Sequence, residues 1–292
     1  MRSTSWGLMQ TTLTFSVVIP AYNAGASIAR ALDSVRAQSY AACDVLVTND
    51  GSTDETEQIL STYMGRYPQF QLSVSSQENR GIGAARNNGI LRAAGQYVAF
   101  LDADDIWYRE KLERVAFYLE KHPEADLVCH DEYWVEDGKI PKKVEYGPYT
   151  SFEDLLFKGN TISTSATVVR RSKLLSAGLF SEKLTFNGVE DYELWMRISR
   201  IAAIAYLHEA LGEYHVRGSG ITRHARLHTR NSISVLKYAF DQWQPQSRRY
   251  RYLLRMRMLR LVTAASLQSL RKRNPAEAFV MMIEGSMKAF GR

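Results

Sequence analysis

The feature that most constrains the fold is an alternation of short apolar, β-branched runs with segments of helical spacing over the first two-thirds of the chain. Short buried runs bounded by turn residues are typical of parallel strands, and a helix between two such strands provides their crossover connection. We therefore predict an α/β fold with a mostly parallel sheet flanked by helices. The predicted strands are Phe15–Ile19, Val45–Thr48, Leu72–Val74 and Tyr97–Leu101, and the predicted helices are Ala26–Ala37, Asp54–Tyr63 and Ala84–Ala94.

The alternation weakens after about residue 125. Ala166–Arg170 and Ala203–Leu207 are predicted as further strands with a helix, Glu190–Ile201, between them. From about Ala225 onward the pattern is helical, with breaks near Pro245 and at the Asn-Pro pair 274–275. In the first half, the Ser-Thr-Asp run 52–54 followed by Glu57 predicts a helix that starts with a capping box.

Composition excludes several classes of protein. Hydrophobic residues make up 45% of the chain and charged residues 23%, which is typical of globular rather than disordered, collagen-like or disulfide-stapled proteins. No uncharged apolar stretch approaches the roughly 18 residues of a membrane span, and the first 12 residues lack a signal-peptide core. Cys43 and Cys129 have no partner at metal-ligand spacing, so we predict small core residues in a reducing, cytoplasmic protein without a disulfide or zinc site.

Carboxylates follow the predicted strands. Ligands of parallel α/β sheets bind outside the carboxyl ends of the strands, and Asp50, Asp102, Asp104 and Asp105 all stand at such ends. Three acids within four residues repel one another unless a cation is present, and hard oxygen ligands suit Mg²⁺ or Mn²⁺. The alternative is that Asp104 or Asp105 caps a helix starting near Trp107. The polar residues after the other strands favour the metal site.

Two common phosphate-binding loops are not expected. The segment from Gly81 to Arg86 superficially resembles a dinucleotide-binding loop, but its sixth residue is Arg and it follows the third strand rather than the first. No Gly-x-x-x-x-Gly-Lys-Ser/Thr loop occurs either. The sequence therefore argues against a nicotinamide cofactor and against P-loop phosphoryl transfer.

Five stretches occur in the order and spacing of one enzyme family. They are VVIPAYNAGASIARALDSVRAQSY (17–40), NDGSTDET (49–56), ENRGIGAARNNGI (78–90), YVAFLDADD (97–105) and GVEDYELWMRI (188–198). Together they resemble glycosyltransferase family 2, the inverting nucleotide-sugar transferases. The resemblance implies a GT-A fold, a Rossmann-like, mostly parallel sheet flanked by helices, over residues 13–222. Residues 13–125 would form the nucleotide-sugar half and residues 126–222 the acceptor half, followed by a basic helical C-terminal extension over 223–292.

The resemblance also implies where the nucleotide binds. Ala21 and Tyr22 would line the base pocket through backbone and ring, with Pro20 as a further donor contact. Asp50 would accept a hydrogen bond from the base, as in the family's uridine donors, which favours a uridine diphosphate sugar.

Further donor contacts follow from the third and fourth stretches. Arg80 would contact the nucleotide, with Arg86 nearly as good a candidate. Asp102, Ala103 and Asp104 match the D-x-D motif, in which Asp104 would bind Mg²⁺ or Mn²⁺ and Asp102 the ribose or a metal-bound water. Such a cation offsets the negative charge that develops on a departing diphosphate.

The last stretch matches the family's E-D motif, which implies that Asp191, beside Glu190, acts as general base. The alternative is a helix N-terminus that favours acids through its dipole. One departure concerns the family's Tyr-Arg-x-His sequence, because here His215 and Arg217 have exchanged places. Arg217 would then contact the diphosphate as a cation, and His215 would be a structural or acceptor-side residue.

The C-terminal 70 residues match no motif and are strongly basic. Residues 223–292 hold 15 Lys and Arg against 3 Asp and Glu, whereas residues 1–222 hold 22 against 28. In Gln246–Leu270 the arginines are not gathered on one helical face, and Arg257 falls among leucines and a tyrosine. We therefore favour helices that pack on the acidic body, ahead of peripheral contact with an anionic membrane. Nucleic acid is not expected as a partner, because no reading module accompanies the charge.

These observations predict an inverting glycosyltransferase that moves a sugar from a nucleotide diphosphate donor to an acceptor hydroxyl. The acceptor would be a saccharide or lipid-linked saccharide, in cell-surface polysaccharide or glycolipid synthesis. One alternative is a non-catalytic nucleotide-sugar or polyanion-binding protein on the same fold, which the intact D-x-D and E-D motifs disfavour. Another is a nucleotidyltransferase, which would need a basic, glycine-rich loop after the first strand, where this chain has PAYNAG (20–25).

Overall fold

A mixed β-sheet organises the chain in the computed structural model, which describes residues 13–136, 139–216, 225–243, 247–271 and 274–290. Its strands are β1 (Phe15–Ala21), β2 (Asp44–Asp50), β3 (Leu72–Gln77), β4 (Tyr97–Phe100), β5 (Ile106–Trp107), β6 (Leu127–Val135), β7 (Lys142–Val144), β8 (Thr167–Arg170) and β9 (Ile204–His215). The helices are α1 (Ile28–Arg36), α2 (Thr56–Arg66), α3 (Ile82–Arg92), α4 (Lys111–Lys121), α5 (Phe152–Phe157), α6 (Arg171–Ala177), α7 (Glu190–Ile198), α8 (Ala225–Trp243), α9 (Arg248–Arg271) and α10 (Pro275–Phe290).

The strand order is β3-β2-β1-β4-β8-β6-β9-β5, with β7 paired to β6. The first four of these strands are parallel, β8 runs antiparallel between β4 and β6, and β6 is parallel to β9. The predicted α/β class with a mostly parallel, helix-flanked sheet and C-terminal helices is therefore confirmed. Helices α1 to α3 provide the crossovers between the parallel strands, so the loops after β1, β2 and β4 open at one edge of the sheet.

The sequence of β1 suits a central position in the sheet. All seven of its residues are buried, as expected for a strand between parallel neighbours and covered on both faces. Pro20 is tolerated there because pairing with β4 ends at Val18 and Phe100, while pairing with β2 continues to Ala21. The missing N–H of the proline therefore removes no bond to β4.

The strand β6 was not predicted, although it lies inside the sheet between β8 and β9. Its middle carries His130, Asp131 and Glu132, each no more than 1% exposed. Polar residues in the interior of a strand break the apolar pattern on which a sequence-based assignment depends. The short strands β5 and β7 and the helices α4, α5 and α6 were missed as well.

The predicted capping box is wrong, and so is the alternative that Asp104 or Asp105 caps a helix. The helix α2 begins at Thr56 rather than Asp54, and its N-cap residue Glu55 makes no side-chain cap bond. Asp54 accepts instead from the backbone N–H of Thr56, two residues on, so no capping box forms. A helix near Trp107 capped by Asp104 or Asp105 is also absent from the described structure, because the short strand β5 occupies that position and α4 begins at Lys111.

The C-terminal helices pack on the sheet-containing body through apolar and aromatic contacts. Leu236 of α8 and Leu254 and Met258 of α9 belong to the same buried cluster as residues of β1, β4 and α7. The rings of Phe157 and Tyr250 stack with their centroids 5.6 Å apart. The predicted packing is therefore present, but it rests on apolar contacts rather than on attraction between basic and acidic surfaces. None of the helices in the described ranges combines the length and the apolarity needed to cross a bilayer.

Candidate active site

A cavity of about 1170 Å³ opens at the edge of the sheet where the parallel strands end. Two parts of its wall differ in origin, and residues of β6, β9 and the segment after β7 complete the lining. We call the residues at the carboxyl ends of β1, β2 and β4 and directly after them, together with the N-terminal turn of α3, the strand-end wall. We call the residues of α7 and the three residues before it, α8, α9 and the loop before β8 the helical wall. The predicted site residues that line the cavity are Pro20, Ala21, Tyr22, Asp50, Arg86, Asp102, Ala103, Asp104, Glu190 and Asp191.

Asp50 fixes the shape of the strand-end wall. One of its carboxylate oxygens accepts from the backbone N–H of Arg80 at 2.9 Å, and the other accepts from the N–H of Gly81 at 2.8 Å. Gly81 has a φ of 89°, which favours glycine at the start of α3. Because a carboxylate accepts about four hydrogen bonds and Gln77 supplies a third here, Asp50 retains capacity for a base N–H. Its contact with a base stays a prediction.

The other predicted nucleotide contacts differ in their exposure to the cavity. Tyr22 is 54% exposed at the rim, where its ring is available for stacking. The side chain of Arg80 instead forms an ion pair with Glu182 at 2.5 Å and is not among the described lining residues. The predicted contact of Arg80 with the nucleotide stays a prediction that would require this pair to break. Arg217 lies outside the described residues.

Ser165 holds the D-x-D loop in place through two hydrogen bonds. The backbone N–H of Asp102 donates to the Ser165 hydroxyl at 3.1 Å, and this hydroxyl donates to Asp105 at 2.5 Å. The backbone N–H of His215 donates to the second oxygen of Asp105 at 2.8 Å. This contact comes from the backbone of residue 215, and the role of the His215 side chain, as a structural or acceptor-side residue, stays a prediction. Burial, together with the charges of Asp104 and Asp102, raises the pKa of Asp105 well above its ordinary value.

A buried lysine lies beneath this loop. Lys111 is fully buried, its ammonium donates to the carbonyl of Ser165 at 2.8 Å, and it sits 3.4 Å above the ring centre of Trp107. Burial lowers the pKa of Lys111 well below its ordinary value, although Glu132 opposes the shift. Lys111 is the first residue of the amphipathic helix α4. A lysine there is usually exposed, so its burial beneath the loop could not be predicted from the sequence.

Arg86 joins the two walls. Its guanidinium donates to Asp102 and to Glu190, each at 2.7 Å, and the side chain is only 3% exposed. Burial opposes the charge, but the two carboxylates outweigh it and keep the pKa of Arg86 above its ordinary value. Both terminal nitrogens therefore have carboxylate partners, and the predicted contact of Arg86 with a nucleotide stays a prediction.

The two acids at the start of α7 have different surroundings. Glu190 binds Arg86 and also accepts from the backbone N–H of Gly188 at 2.7 Å. Asp191 is half-buried, accepts from the Thr164 hydroxyl at 3.2 Å and has no ion pair with the described residues. Burial, and then the charge of Glu190, raises the pKa of Asp191 to about 7, although Arg86 opposes the shift. Asp191 is therefore a carboxylate whose proton affinity suits proton transfer near neutral pH.

The residues present fit a divalent cation only in combination with a ligand. Within the described ranges, no group of three His, Cys, Asp or Glu side chains is arranged to hold a metal ion. Asp104 and Asp102 do line the cavity together, and one oxygen of Asp102 is already bound to Arg86. Such a pair suits Mg²⁺ or Mn²⁺ when substrate phosphates supply the remaining ligands.

Most of the helical wall was missed in the sequence. The side chains concerned are those of Asn160, Ile162, Thr164, Asn187, His228, Ser232, Arg257, Leu261 and Gln268. They come from segments far apart in the chain, and no motif marks them. The sequence contained one indication of this wall. Arg257 falls among leucines on a predicted helix, where a purely apolar face would carry no arginine.

Comparisons with known proteins identify the family of the chain. The family model for glycosyl transferase family 2 matches residues 16–178. The amylovoran biosynthesis glycosyltransferase AmsB of Erwinia amylovora is 29% identical over 242 residues, which are 80% of this chain and 78% of AmsB.

Two solved structures have a similar fold. TarS of S. aureus in complex with UDP-GlcNAc has a TM-score of 0.60 and 19% identity, over 96% of this chain and 93% of the other. The mannosyltransferase PcManGT of Pyrobaculum calidifontis in complex with GDP-Man and Mn²⁺ has a TM-score of 0.63 and 17% identity, over 97% of this chain and 77% of the other. Because the family model extends over more than half of the sequence, the chain belongs to glycosyltransferase family 2.

Proposed function

We propose that this glycosyltransferase moves a sugar from a uridine diphosphate sugar to an acceptor hydroxyl with inversion at the anomeric carbon. The observation that carries the proposal is the position of Asp191. This carboxylate lines the same cavity as Asp102 and Asp104 but comes from a separate element, the start of α7, and its pKa is raised to about 7. A single displacement requires a base and a leaving-group site within one cavity, and these residues can supply both.

In the proposed reaction the donor nucleotide lies on the strand-end wall, with its base near Tyr22 and Asp50. Asp191 takes the proton of the acceptor hydroxyl while the hydroxyl oxygen forms its bond to the anomeric carbon. The bond from this carbon to the donor phosphate breaks, and the electron pair leaves with the nucleotide diphosphate. Arg86 fixes Glu190 and Asp102 relative to each other and so helps to hold the two walls at a constant separation.

Asp104 and Asp102 would hold a divalent cation together with the donor diphosphate. When bound, the cation supplies positive charge that stabilises the developing phosphate charge. Mn²⁺ is present in the PcManGT complex, which supports the proposal without choosing between Mg²⁺ and Mn²⁺ for this chain.

We propose a saccharide or lipid-linked saccharide as acceptor, in the synthesis of a cell-surface polysaccharide or glycolipid. The name of AmsB, an amylovoran biosynthesis glycosyltransferase, supports this class of pathway. A lipid-linked acceptor would bring the protein to a membrane surface. Helices α9 and α10 carry exposed apolar side chains, and α9 begins with exposed arginines. Both features favour peripheral contact with an anionic bilayer. The exposed apolar side chains are those of Leu267, Leu270, Phe279, Met282 and Ile283.

The test is donor hydrolysis across a panel of UDP-sugars and GDP-mannose, with Mg²⁺, with Mn²⁺ and with a chelator. We expect slow, metal-dependent release of UDP from one sugar, since glycosyltransferases without acceptor can transfer to water. A thermal-shift screen of the same panel would identify the ligand that stabilises the fold. Binding of a donor without any turnover, even with added saccharides, would support a nucleotide-sugar-binding protein instead.

A further inference from the structure

The C-terminal helices contribute part of the cavity surface. His228 and Ser232 of α8 and Arg257 and Leu261 of α9 line the same cavity as Asp191. All four lie beyond residue 178, where the match to the family model ends. A chain region beyond the match to the family model thus forms part of the wall on which the acceptor would bind.

Arg257 is the unusual member of this group. Its Nε atom is buried and has no hydrogen-bond partner among the described residues. The guanidinium lies against Gly159, where an added Cβ would come within 2.7 Å of a terminal nitrogen. Only a glycine permits this close approach, because any side chain at residue 159 would displace the arginine head group.

Arg257 has no carboxylate partner within the described part of the chain. No Asp or Glu of the described ranges lies within ion-pair distance of its guanidinium, whereas Arg86, the other arginine lining the cavity, has two carboxylate partners. Arg257 is half-buried, and a bound anion would offset the cost of withdrawing part of its guanidinium from water. The guanidinium also presents a planar set of donors that matches a carboxylate or a phosphate.

Arg257 and the residues predicted to hold the donor phosphates come from different parts of the cavity lining. Its positive charge acts on the hydroxyl of Tyr192, the residue directly after Asp191, where it opposes the burial that raises the Tyr192 pKa to about 12. Asp102 and Asp104, where the donor diphosphate would bind, belong to the strand-end wall, whereas Arg257 belongs to the helical wall. An anion held by Arg257 would therefore belong to the molecule that delivers its hydroxyl to Asp191.

We propose that Arg257 binds an anionic group of the acceptor, a carboxylate or a phosphate, and so selects acidic acceptors. This inference rests on the proposed function, because it assumes that the helical wall receives the acceptor. The carboxylate of a uronic acid and the phosphate of a sugar phosphate have the same chemistry toward a guanidinium, and the experiment distinguishes them.

Binding can be measured without turnover. The full-length protein, saturated with UDP and Mn²⁺, is titrated calorimetrically with the methyl glycosides of glucose, galactose and mannose. The three matching uronides and the three hexose 1-phosphates follow. We expect at least one acidic probe to bind about tenfold or more tightly than its neutral counterpart, and the type of probe identifies the anion.

The variants assign the preference to one residue. Arg257→Gln should abolish the tenfold difference, and Arg257→Lys should restore part of it because the charge remains while the planar fork is lost. Arg260→Gln, which removes an exposed arginine from the same helix, should leave the preference unchanged. If the melting temperature of Arg257→Gln shows that this variant does not fold, Arg257→Met replaces it in the test, because methionine keeps the apolar stem without the charge.

The proposal is overturned if the parent protein shows no preference for any acidic probe, or if the preference persists in Arg257→Gln. Donor hydrolysis is measured on the parent protein and on Arg260→Gln, where the rates are expected to be equal because Arg260 is exposed and is not among the described lining residues. A parent protein that prefers acidic probes but never hydrolyses a donor would contradict the proposed function and leave the anion site standing.

Discussion

The strand-end wall and the helical wall of the cavity are held in place by different kinds of contact. In the strand-end wall, side chains directly after a strand are fixed by nearby backbone groups, as Asp50 is by the N–H groups of Arg80 and Gly81. In the helical wall, residues such as Arg257 are positioned by the packing of whole helices against the body. The first arrangement depends on short loops and tolerates little change. The second depends on apolar contacts that many sequences can make.

This difference suggests that the two walls bind different parts of the substrates. A fixed wall suits the nucleotide, which is common to many donors, whereas a wall built by packing can change its polar side chains without loss of the fold. Arg86 connects the two walls, through Asp102 on one side and Glu190 on the other. Substitutions on the two walls should consequently change different kinetic constants, and the following predictions test this.

The largest effect is expected for Asp191→Asn. The amide cannot take a proton, so turnover should fall by about 10²–10⁴-fold while the donor dissociation constant stays nearly unchanged. The melting temperature should hold or rise, because burial disfavours the charged form of Asp191. Transfer rate, donor affinity and thermal unfolding are measured on the same preparation.

Glu190→Gln is the matched control for this prediction. It should reduce turnover less than Asp191→Asn but lower the melting temperature, because it removes one of the two carboxylates that hold the buried Arg86. If Asp191→Asn transfers sugar at a near-parental rate while Glu190→Gln is inactive, Glu190 is the base and the assignment of the two acids is reversed.

The next effect concerns the strand-end wall. In Asp104→Asn the donor affinity measured with Mn²⁺ should fall by about 10–100-fold, equivalent to about 1.4–2.8 kcal/mol, whereas the affinity measured with chelator should not change. The melting temperature without ligand should hold or rise, since the charge of Asp104 disfavours the ionised form of its buried neighbour Asp105. Equal affinity of the variant and the parent protein in Mn²⁺ would refute the metal assignment.

A smaller effect than that of Asp104→Asn is expected from a change of pH. With a pKa of about 7, Asp191 is mostly protonated at pH 6, so the rate should fall about tenfold for each pH unit below 7 and level off above it. The effect of Asp191 on stability has the opposite sign. Its pKa is higher in the folded state than in the unfolded chain, so its contribution to the free energy of unfolding decreases as the pH rises from about 4 to about 7. A rate independent of pH between 5 and 8 would argue against Asp191 as base.

The smallest effect is expected from the exposed arginines at the start of α9. Replacing Arg248, Arg249 and Arg251 together by Gln should weaken flotation with anionic liposomes at low salt, by about 1 kcal/mol for each charge at the surface. Donor hydrolysis should not change. Point substitutions are preferable to removal of the whole tail, because Leu254 and Met258 are core residues. A parent protein that does not float even at low salt would exclude the membrane contact.

Much of the strand-end wall could be predicted from sequence. Each of its residues stands within a few positions of a recognisable strand, so Asp50, Asp102 and Asp104 could be assigned to one cavity edge from the topology alone. The helical wall could not be predicted in this way, because Thr164, His228 and Arg257 come together only through packing. The buried polar residues of β6, and Lys111 beneath the D-x-D loop, were missed because their partners are distant in sequence and their types suggest a surface position.

The shared core of the body and the C-terminal helices has a consequence for engineering. A designer who wishes to exchange acceptor preference between relatives would be inclined to graft the last 70 residues as a module. In this chain the graft boundary would cut through the stack of Phe157 on Tyr250 and through the contact of Gly159 with Arg257. A chimaera would therefore need residues 152–164 from the same parent as α9, so that the transplanted arginine keeps the glycine against which it lies.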